Sequence, residues 1–201
     1  NQIVDIGFKI RDAINIYYET NSQEDPTSNF QWEFVLVDDD QTKNAWCMPG
    51  GKIAFYSGIL PILKNEDGVA SVMGHEIAHA VARHSAERAS TAMVTDLGIM
   101  ALEQFVLGQR LPQAAGYVRQ FGLDLPFNRK QESEADYLGL IFSSLAGYDI
   151  NESYKVWERM KEDMGGSGPS EFFSTHPSPD NRIKNLKEWI PIVSKQYPVI
   201  G

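Results

Sequence analysis

Residues 65–88 read NEDGVASVMGHEIAHAVARHSAER, and the rest of the chain is best read outward from them. Asn65 or Asp67 can cap a helix here, and the acidic residues of the first turn suit its dipole. The spacing predicts one long helix running to about Arg88. Ala78, Ala80, Val81 and Ala82 make that helix apolar, so a His or Glu on it must be buried with a partner. His75 and His79 stand four residues apart. That spacing puts both imidazoles on one face, a turn from each other, where they can share a metal ion. Glu76 follows His75 at about 100° around the helix, from where its carboxylate can reach the attacking water without being a ligand. The HExxH pattern thus pairs a Lewis acid with a general base, as hydrolysis of an amide requires.

Two histidines do not complete a catalytic zinc site, which takes three protein ligands. One known extension of the motif needs a His six residues after the second, with a Gly between. Ser85 and Ala82 stand at those positions, so the metzincin pattern fails. His84 is the nearest other histidine, but a continuous helix carries it about 140° away from His79. It reads as a supporting residue rather than a ligand. The other route is a carboxylate from a second helix, and Glu132-Ser133-Glu134-Ala135-Asp136 offers it. Glu132 and Asp136 share a face, so Glu132 could bind metal while Asp136 accepts a hydrogen bond from the outer nitrogen of a ligating histidine. Glu134 has no such partner in the pattern. Yet the apolar stripe of Ala135, Leu138, Phe142 and Leu145 lies nearer Glu134, so periodicity leaves the choice open.

Upstream, Ile3, Ile6, Ile10, Ile14 and Tyr17 predict an amphipathic helix over 2–19. A polar loop follows over 21–29, then a strand at Gln31–Val37 and two more at Asn44–Met48 and Lys52–Tyr56 around Pro49-Gly50-Gly51. Downstream, helices are expected from about Ser90 to Leu107, over 130–145, from an Asn151 cap to about Met164, and over Pro179–Trp189. Residues 111–126 look less regular, and Gly165–Pro169 reads as a break. The class is α+β: mainly helical, with a small three-stranded sheet, in a single domain over 1–201. The strand at Asn44, Ala45 and Trp46 is the expected substrate edge, where a peptide can add as a further strand. The side chains of Trp46, Phe55, Tyr56, Phe142 and Trp157 read as core rather than as subsite walls. His176, beside Pro177 and after a glycine-rich stretch, can be swung toward a site.

Charge narrows the partners. The chain has 201 residues and a formal net charge of −9, with Lys and Arg scattered rather than clustered. Such a chain lacks the footprint of nucleic-acid or anionic-membrane binding. Cys47 is the sole cysteine, so no internal disulfide forms. Leu97–Leu107 is interrupted by Glu103 and Gln104 and is too short and polar to span a bilayer. The chain opens on Asn1 rather than Met, which reads as a mature or trimmed product.

HEIAH (75–79), the following Arg83-His84, ESEAD (132–136), THPSPDNRI (175–183) and NAWCMPGGKIAFYSGIL (44–60) together resemble one zinc peptidase family. It is the gluzincin family that contains the CaaX prenyl protease, the membrane protease HtpX and the periplasmic protease BepA. The resemblance implies a zincin-like domain with Zn²⁺ held by His75, His79 and Glu132, and with Asp136 orienting a ligand. It also places His176 and Arg182 at the active site, where fixed donors can stabilise an oxyanion. In BepA-like members the matching His can instead occupy the open zinc position, and both roles stay open for His176. The spanning helices of the prenyl protease and HtpX are missing, as is a helical-repeat domain like that of BepA. This favours a soluble, BepA-like endopeptidase of the bacterial periplasm, with unfolded or misassembled polypeptides as substrates and outer-membrane assembly partners. The alternative is a self-inhibited or chaperone-like binding module in which His176 plugs the zinc.

Overall fold

The computed structural model describes residues 2–88, 90, 127–167, 171–177 and 179–199. Helix α1 (Gln2–Thr20) buries Ile3, Ile6, Ile10 and Ile14 along one stripe, as its period requires. Three strands follow: β1 (Glu33–Val37), β2 (Ala45–Met48) and β3 (Lys52–Tyr56). β2 and β3 form an antiparallel hairpin, closed by Gly50 and Gly51 at φ of 88° and 85°. β1 pairs parallel to β3, so the order is β1-β3-β2 and, among the described residues, β2 is left at an edge. That edge strand lies beside the helix carrying HEIAH.

After a short α2 (Leu60–Leu63) comes α3 (Glu66–Val81), almost wholly buried from Val72 to Val81. Of the two candidate caps, Asn65 is the one used: its Oδ1 accepts from the Gly68 amide at 2.8 Å. Asp67 instead accepts from the Asp149 amide at 2.9 Å and ties α3 to a distant loop. Helix α4 (Arg129–Leu145) opens with a capping box between Asn128 and Gln131 and packs across α3 more extensively than any other pair of described elements. Their contact is close because two glycines meet there. A Cβ on Gly139 would lie 2.9 Å from the His75 amide nitrogen, and one on Gly74 would lie 2.9 Å from the Gly139 carbonyl oxygen. Helices α5 (Glu152–Ser167), α6 (Glu171–Thr175) and α7 (Pro179–Gln196) complete the described chain.

The mainly helical α+β class with a small three-stranded mixed sheet is as expected. Three boundaries differ by more than two residues. The helix predicted to reach Arg88 ends at Val81, with Ala82 as its cap and Arg83 in the left-handed region at φ 58°. A new helical turn starts at His84. The last helix passes through Pro191 and runs to Gln196, because Leu186, Ile190 and Val193 are buried at helical spacing while Pro191 itself is exposed. That burial outweighs the lost backbone hydrogen bond. Helix α5 absorbs the start of the expected Gly165–Pro169 break. Short helices α2 and α6 were not expected. The helix expected from Ser90 to Leu107 (Ser90 apart) and the irregular stretch over 111–126 lie outside the described residues. No described helix is long and apolar enough to cross a membrane.

Candidate metal centre

The crossing of α3 and α4 brings His75, His79 and Glu132 together, and the residue after α6, His176, joins them from the other side. All four are buried, and their ligand-type atoms lie within 4.8 Å of one another. His75 Nε2 is 3.1 Å from His79 Nε2 and 3.2 Å from His176 Nδ1. Glu132 Oε1 is 3.2 Å from His79 Nε2 and 3.0 Å from His176 Nδ1. Ligand atoms around a tetrahedral zinc at its usual bond lengths stand about 3.3 Å apart, so these separations fit such an ion. Charge points the same way. Three buried carboxylates crowd the site: Glu132 and Asp136 pair with the buried Arg182 guanidinium, and Glu76 faces His176. A divalent cation would make up the missing positive charge.

Each position within ESEAD serves a different neighbour. Glu132 Oε1 faces the cluster, while its Oε2 meets Arg182 Nη1 at 2.5 Å. Asp136 Oδ1 stands 3.0 Å from His75 Nδ1, the nitrogen pointing away from the cluster. Arg182 donates to both Asp136 oxygens, from Nε at 2.7 Å and from Nη2 at 2.5 Å. Its guanidinium lies 3.5 Å over the Trp157 ring. Arg182 therefore sits behind His75, clamping two carboxylates, and is not among the residues lining the cleft described below. That position differs from the oxyanion-facing one implied by resemblance. Glu134, which the pattern left without a partner, points the other way and reaches His84 Nε2 at 3.3 Å.

Burial and charge compete throughout. Burial alone would raise Glu132, but Arg182, His176 and His79 outweigh it and hold the carboxyl well below its usual range. Burial would raise Asp136 too, and Arg182 again reverses the sign. Burial pulls His79 well below the usual imidazole value. For His176 burial works in the same direction, but Glu76 and Glu132 overcome it and push the ring up to about 9.

A cleft of about 320 Å³ opens onto this cluster. One wall is β2 with Asn44, Ala45, Trp46, Cys47 and Met48, and another includes Ser85, Arg88 and Phe127. Glu76 and His176 lie at its floor, 3.2 Å apart between Oε1 and Nε2. Two aromatic residues that sequence reasoning missed pack on the histidines. Phe127 stacks on the His79 ring at 3.7 Å, and Phe172 stacks on His176 at 4.4 Å. Nothing in their spacing singled them out. Trp157, read as core, is buried as expected but also supports Arg182.

An HExxH helix crossed by a second helix that brings a carboxylate to both histidines is the architecture of a metallopeptidase domain. The chain belongs to peptidase family M48, whose model matches residues 16–190. It is 45% identical over 166 residues to the mitochondrial metalloendopeptidase OMA1 of Schizosaccharomyces pombe, covering 82% of this chain and 48% of that protein. The protein of the same name from Saccharomyces cerevisiae is 36% identical over 211 residues, covering 98% of this chain and 57% of the relative. The β-barrel assembly-enhancing protease of Yersinia pestis is 30% identical over 168 residues, covering 78% and 34%. The chain thus spans about half the length of the two fungal relatives. These matches confirm the family expected from HEIAH and ESEAD, and they correct the compartment. The bacterial periplasm was inferred from the BepA-like motifs and the missing membrane helices and repeat domain, but the relatives that match at higher identity are named as mitochondrial, in fungi and in Arabidopsis thaliana.

Proposed function

We propose that this chain is the catalytic part of a mitochondrial zinc metalloendopeptidase that cleaves unfolded or misassembled polypeptides. The observation that carries the reading is the convergence of His75, His79 and Glu132 beside Glu76, at the foot of a cleft walled by an edge strand. In this reading His75, His79 and Glu132 hold Zn²⁺. The ion, when bound, supplies Lewis acidity to the scissile carbonyl and the attacking water. Glu76 takes the proton from that water and returns it to the leaving amine. Asp136 accepts from His75 Nδ1 and thereby keeps the proton off Nε2. Asn44, Ala45 and Trp46 offer backbone groups along the β2 edge to a substrate lying as an added strand, a mode that does not depend on substrate sequence. The name of the bacterial relative makes β-barrel proteins under assembly the first substrates to try.

Casein digestion by the zinc-loaded chain tests this. A Glu76→Gln variant should retain zinc and lose at least about 100-fold in cleavage rate. Full activity in that variant would sink the mechanism.

A second reading concerns the state of the same site. His176 Nδ1 takes the fourth corner of the donor set while its Nε2 faces Glu76. Both the position needed by water and the base are then covered, as in a self-inhibited form. Faster casein cleavage by His176→Ala than by wild type would identify His176 as a plug, and slower cleavage would make it part of catalysis. If neither protein cuts while both bind unfolded chains, the site belongs to a binding module.

A further inference from the structure

His84 is buried, yet nothing in the reaction above uses it. On an unbroken helix it would lie about 140° around from His79. Here α3 stops, Arg83 turns into the left-handed region at φ 58°, and the chain folds back. The turn brings His84 Nδ1 to 2.9 Å from His79 Nδ1. On its far side, His84 Nε2 stands 3.3 Å from Glu134 Oε2. A left-handed conformation is costly for a residue other than glycine and persists where the surroundings enforce it.

We propose that His84 and Glu134 form a positioning pair for His79, the counterpart of what Asp136 does for His75. The proposal rests on the metal reading above, and proton accounting makes it specific. His79 Nε2 faces the other donors, 3.1 Å from His75 Nε2 and 3.2 Å from Glu132 Oε1. To offer a lone pair there, the neutral ring must carry its proton on Nδ1. That proton can be donated to His84 Nδ1 only if His84 is bare at that nitrogen. His84 then carries its own proton on Nε2, where Glu134 accepts it. One tautomer along the whole chain satisfies every contact, and a carboxylate at the outer end selects it. The two helices divide the work: α4 supplies Glu132 to the metal, Asp136 to His75 directly and Glu134 to His79 through His84.

The test is zinc affinity, measured by competition with a chromophoric chelator, together with the absorption bands of the Co²⁺-substituted chain and the melting temperature of the metal-free chain. His84→Leu removes the acceptor and should weaken zinc about 10–100-fold and shift the Co²⁺ bands. His84→Asn places a carbonyl oxygen near the position of Nδ1 and should recover most of that loss. The Glu134 side chain is half exposed, so Glu134→Ala should leave metal-free melting unchanged. It should weaken zinc by a smaller factor than His84→Leu, and Glu134→Gln, which still accepts, should stay near wild type. If His84→Leu binds zinc as tightly as wild type, or if His84→Asn is as weak as His84→Leu, the positioning role is overturned. Failure of the wild-type chain to bind zinc would overturn the metal reading itself, and this inference with it.

Discussion

Behind His75 lie Asp136 at 3.0 Å, the Arg182 guanidinium clamped on Asp136 and Glu132, and the Trp157 ring beneath it, all buried. Behind His79 lies His84 at 2.9 Å, followed by Glu134, whose side chain is 52% exposed. The two flanks have the same geometric outline, a carboxylate aimed through hydrogen bonds at the outer nitrogen of a histidine. They differ in solvation. On the first flank the charges are out of water and cannot be screened, so each depends on its partners. On the second the terminal carboxylate is hydrated, and its removal leaves no uncompensated buried charge. The buried flank should therefore govern stability as well as the site, and the exposed one the site alone.

The sharpest way to break that comparison is Arg182→Met. It leaves Glu132 and Asp136 buried without their counter-charge, and should cost the metal-free chain about 3–5 kcal/mol, read by denaturant unfolding. A loss under about 1 kcal/mol would mean that the clamp is no more demanding than a surface ion pair. Next comes Asp136→Asn, which keeps an acceptor but removes the charge. Zinc affinity should fall about 10–100-fold, and by more than for Glu134→Gln in the same chelator competition. Equal losses would erase the distinction between the flanks. The smallest expected effect is at the turn that creates the second flank. Arg83→Gly relieves the positive φ and should change thermal stability by no more than about 1 kcal/mol, in the stabilising direction. A clear loss would show that the Arg83 side chain itself holds the turn.

Much of this arrangement was readable before any coordinates. The helix around HEIAH, the strand edges at Asn44–Met48 and Lys52–Tyr56, and the amphipathic α1 follow from local period and turn chemistry, which neighbours rarely overturn. The last turn of α7 was not readable, because Pro191 is a stop signal in isolation and is overruled by the burial of Ile190 and Val193. Glu132 and Glu134 were not separable by period either. Both lie on α4, and only which face of α4 packs against α3 decides which carboxylate meets the histidines. Gly74 and Gly139 permit that close crossing, but a glycine in a helix does not reveal what approaches it.

By itself the sequence determined that His75 and His79 share one face with Glu76 beside them, since a 3.6-residue turn leaves no other outcome. Through Ser85 and Ala82 it also excluded the metzincin pattern of a third histidine six residues on. The tertiary structure alone decided the rest of the surroundings: Glu132 inward, Glu134 toward His84, Arg182 behind His75, and His176 close to His75 and Glu132. These placements depend on a helix crossing, a left-handed residue at Arg83 and where the end of α6 sets His176. Each is fixed by packing between parts of the chain far apart in sequence, and local periodicity carries no signal of it.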